Sequence, residues 1–241
     1  MRRIRLTTGP AALFGAMLLI ALIVFLPMRL VLGWAGAGEQ GLSARQVGGT
    51  IWGARLSEAR FAGLPLGDLQ VRLSPLPLLI GRAAVELERP GQGGASPLSG
   101  RAFVSRYGSG VDDLTARLAT GAVFRPLPVA SLDLDDVTVR FEDDQCVAAE
   151  GRVTATLAGE VSGIALPPTV SGVARCDAGA LLLPLAGQAG AEAVSLRLTG
   201  DGRYQADLAI RPTDPAAVER LTRSGFTAGP DGYRLSIEGR L

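Results

Sequence analysis

Two hydrophobic textures divide the chain. An 18-residue run from Ala11 to Met28 carries no charge, close to the 17–25 apolar residues, at ~1.5 Å rise each, that cross a bilayer as a helix. From Leu42 onward the apolar residues alternate with polar ones in short stretches broken by Gly and Pro. Leu66-Gly-Asp-Leu-Gln-Val-Arg-Leu73, Gly151-Arg-Val-Thr-Ala-Thr-Leu157, Val194-Ser-Leu-Arg-Leu198, Tyr204-Gln-Ala-Asp-Leu-Ala-Ile210 and Tyr233-Arg-Leu-Ser-Ile-Glu238 all read as strands with one greasy and one wet face. Leu132 to Phe141 alternates too, with a one-residue slip at Asp135-Asp136 that suits a bulge. Leu76–Ile80 and Ala180–Leu185 have the length of short buried strands.

The pattern predicts a mainly β protein: one N-terminal transmembrane helix, then an antiparallel β domain built as a curved sheet, open barrel or sandwich, with one short C-terminal helix. The helix signal is Thr213-Asp214-Pro215, a cap and a proline at the first helical position. Val218 and Leu221 follow on one face, and Gly225 is the stop. Pro75 to Leu79 can form a further turn of helix before Gly81. The boundaries are 1–10 for a tail, 11–32 for the anchor, 33–41 for a Gly-rich linker that lets the domain stand off the membrane, and 42–241 for the β domain, with a subdivision conceivable in the Gly/Ser/Pro-rich segment near 90–100. Leu98–Gly121 and Leu132–Gly159 both run strand, turn, strand, Gly, a weak internal repeat of hairpins.

Charge fixes the expected topology. Arg2, Arg3 and Arg5 precede the apolar run and only Arg29 follows closely, so the N-terminus belongs in the cytoplasm and the β domain in the periplasm, a single pass through the inner membrane. Trp34 suits the membrane–water interface. A cleaved signal peptide is the rival: Ala35-Gly36-Ala37 offers a cleavage site, which would leave a secreted β-domain binder starting near Gly38. The site lies farther from the apolar core than such sites usually do. Net charge is +1 with acids and arginines scattered singly, which argues against nucleic acid as a partner.

The missing residue types narrow the chemistry. There is no His, Lys or Asn, and all 24 basic residues are Arg. Without His no Ser-His-Asp or Cys-His site can be assembled, and without Lys no Schiff base or phosphate-loop lysine. The acidic pairs Asp112-Asp113, Asp135-Asp136 and Asp143-Asp144 are adjacent beside strands, where neighbours point to opposite faces; they read as turns and strand ends, not converging acids. No catalytic, cofactor-binding or metal site is therefore expected. Cys146 and Cys176, an even count in an oxidising compartment, read as a disulfide closing a loop of about 30 residues, worth roughly 3–4 kcal/mol. Buried free thiols or a redox pair are the alternatives, though the C-x-x-C spacing of a redox pair is absent. Aromatics make up only 5% of the chain. Trp52, inside Gly49-Thr50-Ile51-Trp52-Gly53-Ala54, is therefore a candidate interaction anchor together with Gly49, Thr50 and Gly53, or else a core residue under its own sheet.

That hexamer, the Pro75/Pro77-to-Gly81 segment and the two later cysteines resemble the type II secretion system protein N (general secretion pathway protein N) family. Cys146 follows a Leu-x-x-Val-x-Val-x-Phe strand, and Cys176 lies in Gly172-Val-Ala-Arg-Cys-Asp-Ala-Gly-Ala-Leu-Leu-Leu183. The chain departs from the family pattern at Ala54, where Gly is common, and at Leu73, where Trp is common. The resemblance implies a non-enzymatic inner-membrane component of the machine that moves folded periplasmic proteins across the outer membrane. Its partners would be other inner-membrane components of that system and potentially the outer-membrane channel, or a second copy of itself. A single-anchor protein of stacked β-hairpins also resembles the AsmA class of bridge-type lipid carriers; a lipid-accepting groove left open by the helix at Asp214–Arg223 would mark that alternative.

Overall fold

A computed structural model describes residues 8–34, 36, 38–39, 41–91, 96–120, 123, 127–161, 164–187, 192–212, 214–230 and 232–240. Arg2, Arg3 and Arg5, Ala35, Ala37, Gly121 and Thr213, on which sequence expectations rest, lie outside the described residues.

Two helices open the chain, α1 (Thr8–Val24) and α2 (Met28–Trp34). Then come β1 (Leu42–Ser43), β2 (Gln46–Thr50), β3 (Gly53–Phe61), β4 (Leu64–Ser74), the single-turn helix α3 (Pro75–Leu78), β5 (Arg82–Arg89), β6 (Leu98–Ser105), β7 (Gly108–Ala119), β8 (Val129–Glu142) and β9 (Gln145–Leu157). The rest is β10 (Glu160–Val161), β11 (Ile164–Ala165), β12 (Thr169–Val173), β13 (Arg175–Asp177), β14 (Ala180–Ala186), β15 (Glu192–Leu198), β16 (Arg203–Ile210), helix α4 (Pro215–Arg223), β17 (Thr227–Gly229) and β18 (Gly232–Arg240).

All strands but β10 and β11, which pair with each other, join one 16-stranded antiparallel sheet, almost entirely in chain order. A sandwich is thereby ruled out. Strands β5 and β6 pair from Arg82↔Ser105 to Arg89↔Leu98, so the ladder runs on across the 90–97 loop. Two apolar clusters lie along the sheet. The larger is built on β8, β9 and β12 to β16 around Val153, Leu208 and Ile210, with Leu221 of α4 and Phe226 packed in; the smaller is built on β3 and β4 around Leu56, Leu69 and Val71. Leu134 touches both.

The predicted caps and bulges are built by short-range chemistry. The Asp214 side chain accepts the Ala216 N–H at 3.0 Å and Pro215 opens α4. Asp136 sits at φ +53°, where the β8–β9 register slips between Asp135 and Thr138. Asp113 does the same in β7. Asp143 and Asp144, both left-handed, form the two-residue turn between β8 and β9, the conformation that matches strand twist.

Three expectations change. The span expected over 11–32 is not one helix: α1 stops at Val24, Pro27 forms a bridge with Thr50, and α2 begins at Met28. Proline lacks an N–H and drives the residue before it out of the helical region. Among the described residues no helix is long and apolar enough to cross a membrane. Nor does the Gly33–Gly41 stretch separate sheet from apolar run, because α2 folds back with Met28 buried in the smaller core. Leu76–Ile80 is not a buried strand; Leu76, Leu79 and Ile80 are 76%, 84% and 81% exposed. Ala180–Leu185, by contrast, lies in β14 with Ala180, Leu181, Leu183 and Leu185 buried.

Candidate functional site

The Gly49–Gly53 segment is a tight turn between β2 and β3. Thr50 pairs with Gly53, leaving Ile51 and Trp52 at the tip. Gly49 has φ +95°, and a Cβ there would meet the Gly53 carbonyl oxygen at 2.3 Å, so both conformation and space demand glycine. Ile51 is buried; its N–H donates to the Leu26 carbonyl at 3.1 Å and its carbonyl accepts the Leu73 N–H at 3.0 Å. Half-buried Trp52 packs on the smaller core and donates its indole N–H to the Ile23 carbonyl at 3.2 Å, one of the last carbonyls of α1, which also accepts the Leu26 N–H at 3.4 Å. The turn thus brings Gly49, Thr50, Trp52 and Gly53 together, and its contact is with the end of the chain's own apolar helix.

Cys146 and Cys176 form a disulfide, with Cα atoms 5.5 Å apart. It ties β9 to β13, and the Cys146 N–H donates to the Gly179 carbonyl at 2.8 Å beside it.

The acidic pairs do not converge. Asp112 alone among the described acids is buried, and it is held by two arginines: Arg82 of β5 at 3.2 Å on one carboxylate oxygen and Arg140 of β8 at 3.0 Å on the other. The Arg82 guanidinium also lies 3.4 Å from the centroid of the Phe103 ring on β6. Four neighbouring strands are stitched on one face by this row. Alternation in the sequence could not reveal it, because its members come from separate hairpins. At the β15–β16 turn, the Thr199 hydroxyl, the Arg203 N–H and the Arg203 guanidinium hold the Asp201 carboxyl below its ordinary value of 3.8. Among the described residues no three His, Cys, Asp or Glu side chains gather as a metal site would need.

The lipid-groove alternative finds no support. Helix α4 seals the larger core, with Leu221 at 0% and Ala217 at 5% exposure. A cavity among β8, β9 and β14 to β16, lined only by apolar side chains such as Leu127, Leu183, Leu196 and Ala206, measures about 20 Å³. That is near the volume one water needs and far below an acyl chain.

The family profile described as "Type II secretion system (T2SS), protein N" matches residues 40–236, from just before β1 into β18. The chain belongs to the type II secretion system protein N family. Among curated proteins it is similar to the "Type II secretion system protein N" of Vibrio cholerae serotype O1 (strain ATCC 39315 / El Tor Inaba N16961). The two are 29% identical over 251 positions, covering 97% of this chain and 98% of the relative. No solved structure matches. The profile takes in the Gly49–Gly53 turn, the 75–81 segment and both cysteines, the features on which the resemblance rested. It omits α1 and α2, which the alignment with the Vibrio relative spans.

Proposed function

We propose that this family member is a non-enzymatic inner-membrane component of the type II secretion system. It is anchored by α1, with its N-terminus in the cytoplasm and its sheet in the periplasm. It helps move folded periplasmic proteins across the outer membrane by contacts with other components of the system. Helix α1 supports the anchor. It is apolar on every side, and its large side chains from Leu13 to Val24 are 45–69% exposed, a helix that water would not tolerate and lipid would. Its 17 residues rise ~25 Å, close to the ~30 Å of the hydrocarbon core. The disulfide fits the oxidising side of that membrane.

The observation that carries the contact role is an open strand edge. Strand β18 pairs β16 along Tyr233–Arg240, but β17 covers its outer side only as far as Arg234. Among the described residues nothing pairs the outer edge from Leu235 to Arg240. Such a row of free N–H and C=O groups accepts a strand from another chain.

A photo-crosslinking residue placed at exposed Ser236 or Glu238 in secreting cells tests this. The expected result is an adduct with an identified component of the secretion system, or with a second copy of this chain within that assembly, and no such adduct from Ala158 on a distant turn. Absence of secretion-system adducts from both edge positions overturns the reading.

A further inference from the structure

The reading of α1 as an anchor leaves one end of the sheet unexplained. Antiparallel pairing brings the β2–β3, β4–β5, β6–β7 and β8–β9 connections to the same end: Leu73 bonds Ile51, Ser74 pairs Ala84, Arg82 pairs Ser105, Gly108 pairs Glu142, and the Asp143 N–H bonds the Tyr107 carbonyl. This is also the end to which the last turn of α1 is tied, through Trp52 and Ile51. The residues at the tips are not those of ordinary turns. Leu76, Leu79 and Ile80 stand 76–84% exposed in the β4–β5 connection, and Tyr107 is 62% exposed in the next. Pro75 and Pro77 frame the first of these tips, and an Arg106 guanidinium lies over the Tyr107 ring at 4.8 Å. Exposed Arg29 follows Pro27 by two residues at the same end. The next tip along, Asp143-Asp144, is acidic.

We propose that this rim is a second membrane contact: Leu76, Leu79, Ile80 and Tyr107 dip into the interfacial layer of the leaflet from which α1 emerges, with Arg29 and Arg106 against lipid phosphates. The proposal rests on α1 being the anchor. Continuity on the backbone specifies the occupant. Two hydrogen bonds, Ile51 N–H to Leu26 O and Leu73 N–H to Ile51 O, lead from the end of the apolar run to the strand that carries the Pro75–Ile80 tip, so the tip lies at the depth where the run leaves the hydrocarbon. Strands ~4.8 Å apart put Tyr107 roughly 20 Å along the rim from Trp52. Apolar tips with a tyrosine and arginines are the composition of an interfacial contact. The acidic Asp143-Asp144 turn marks where the sheet rises away from the lipid. Anchored at two places, the first strands stand fixed to the bilayer instead of swinging on a tether.

The two native cysteines are bonded to each other, so an introduced cysteine is the one free thiol for labelling. The full chain, reconstituted in nanodiscs of phosphatidylcholine and phosphatidylglycerol, is labelled with an environment-sensitive fluorophore at Leu79→Cys, Tyr107→Cys, Leu18→Cys and, as the water reference, Ala158→Cys. The expected result is a blue shift at 79 and 107, with quenching by headgroup-nitroxide lipid and not by aqueous iodide. Position 18 should respond to deep acyl-chain quenchers and position 158 to iodide. A second variant, Leu76→Glu/Leu79→Glu/Ile80→Glu, alters only exposed side chains and should return the label at 107 to water while 18 stays in lipid. Position 79 in water with 18 in lipid overturns the rim and leaves the anchor standing; it assigns the exposed tip to a protein neighbour. Position 18 in water removes the anchor reading and overturns the rim with it. A label at 107 that stays in lipid despite the three glutamates shows that α1 alone sets its depth, and also overturns the proposal.

Discussion

Asp112→Ala should be the most informative single change in the sheet. The Asp112 side chain is 12% exposed, and the change removes the shared acceptor of Arg82, 32% exposed, and Arg140, 48% exposed. Breaking a fully buried pair costs about 3–5 kcal/mol, because a charge is left without a partner. Here the half-exposed arginines can turn to water, and an exposed pair is worth only about 0.2–1 kcal/mol. The loss should therefore fall between these limits, about 2 kcal/mol. Arg82 carries most of it, because its Nε is buried without a hydrogen-bond partner and its remaining support is the Phe103 ring. Urea unfolding of the full chain in nanodiscs, followed by circular dichroism, should show a midpoint lowered by ~1 M at a slope of about 2 kcal/mol per M. Arg140→Ala alone should cost less than half as much. Combined with Asp112→Ala it should add almost nothing further, since both changes remove the same bond. An Asp112→Ala midpoint within error of the parent, or strict additivity with Arg140→Ala, would refute the claim that this row stitches β5 to β8.

Three further outcomes follow from the same structure. Replacing Cys146 and Cys176 together by Ser should cost roughly 3–4 kcal/mol in the chain-entropy account of a 30-residue separation, read as a lower unfolding temperature that reductant reproduces in the parent but not in the variant. Gly49→Ala should cost about 1–3 kcal/mol, because φ +95° and the Gly53 carbonyl both oppose a Cβ; the turn that holds Ile23 and Leu26 should loosen, measured as faster hydrogen exchange at Ile51 and Trp52. Asp201 is held ionised below pH 3.8 by Thr199 and Arg203, so its small contribution is complete above that pH and is lost as pH falls through its lower folded-state value. Carboxyl NMR should show Asp201 titrating below 3.8, and Thr199→Ala should bring it back toward that value.

Features set by short-range chemistry were readable along the chain. Alternation gave the strands because side-chain period and pleat are the same geometry. Asp214-Pro215 gave the start of α4, the slip at Asp135-Asp136 gave a bulge, and two cysteines without other reactive partners gave the disulfide. Pro27 carried the signal for the helix break, but a continuous count of apolar residues hid it. Features that depend on which strands become neighbours emerged only in three dimensions. The single 16-stranded ladder, with only the β10–β11 pair outside it among the described residues, follows from hairpins pairing in chain order, and alternation is equally compatible with a sandwich. Trp52 stood out as the large residue of its turn, either an interaction anchor or a core residue, but that it reaches Ile23 across 29 residues was not legible. The burial of Asp112 depends on Arg82 and Arg140, each about 30 residues away in the chain, arriving on the same face. The exposed rim is invisible in one dimension for the same reason: Leu79 and Tyr107 share an end of the sheet only because antiparallel register turns distance along the chain into proximity across it.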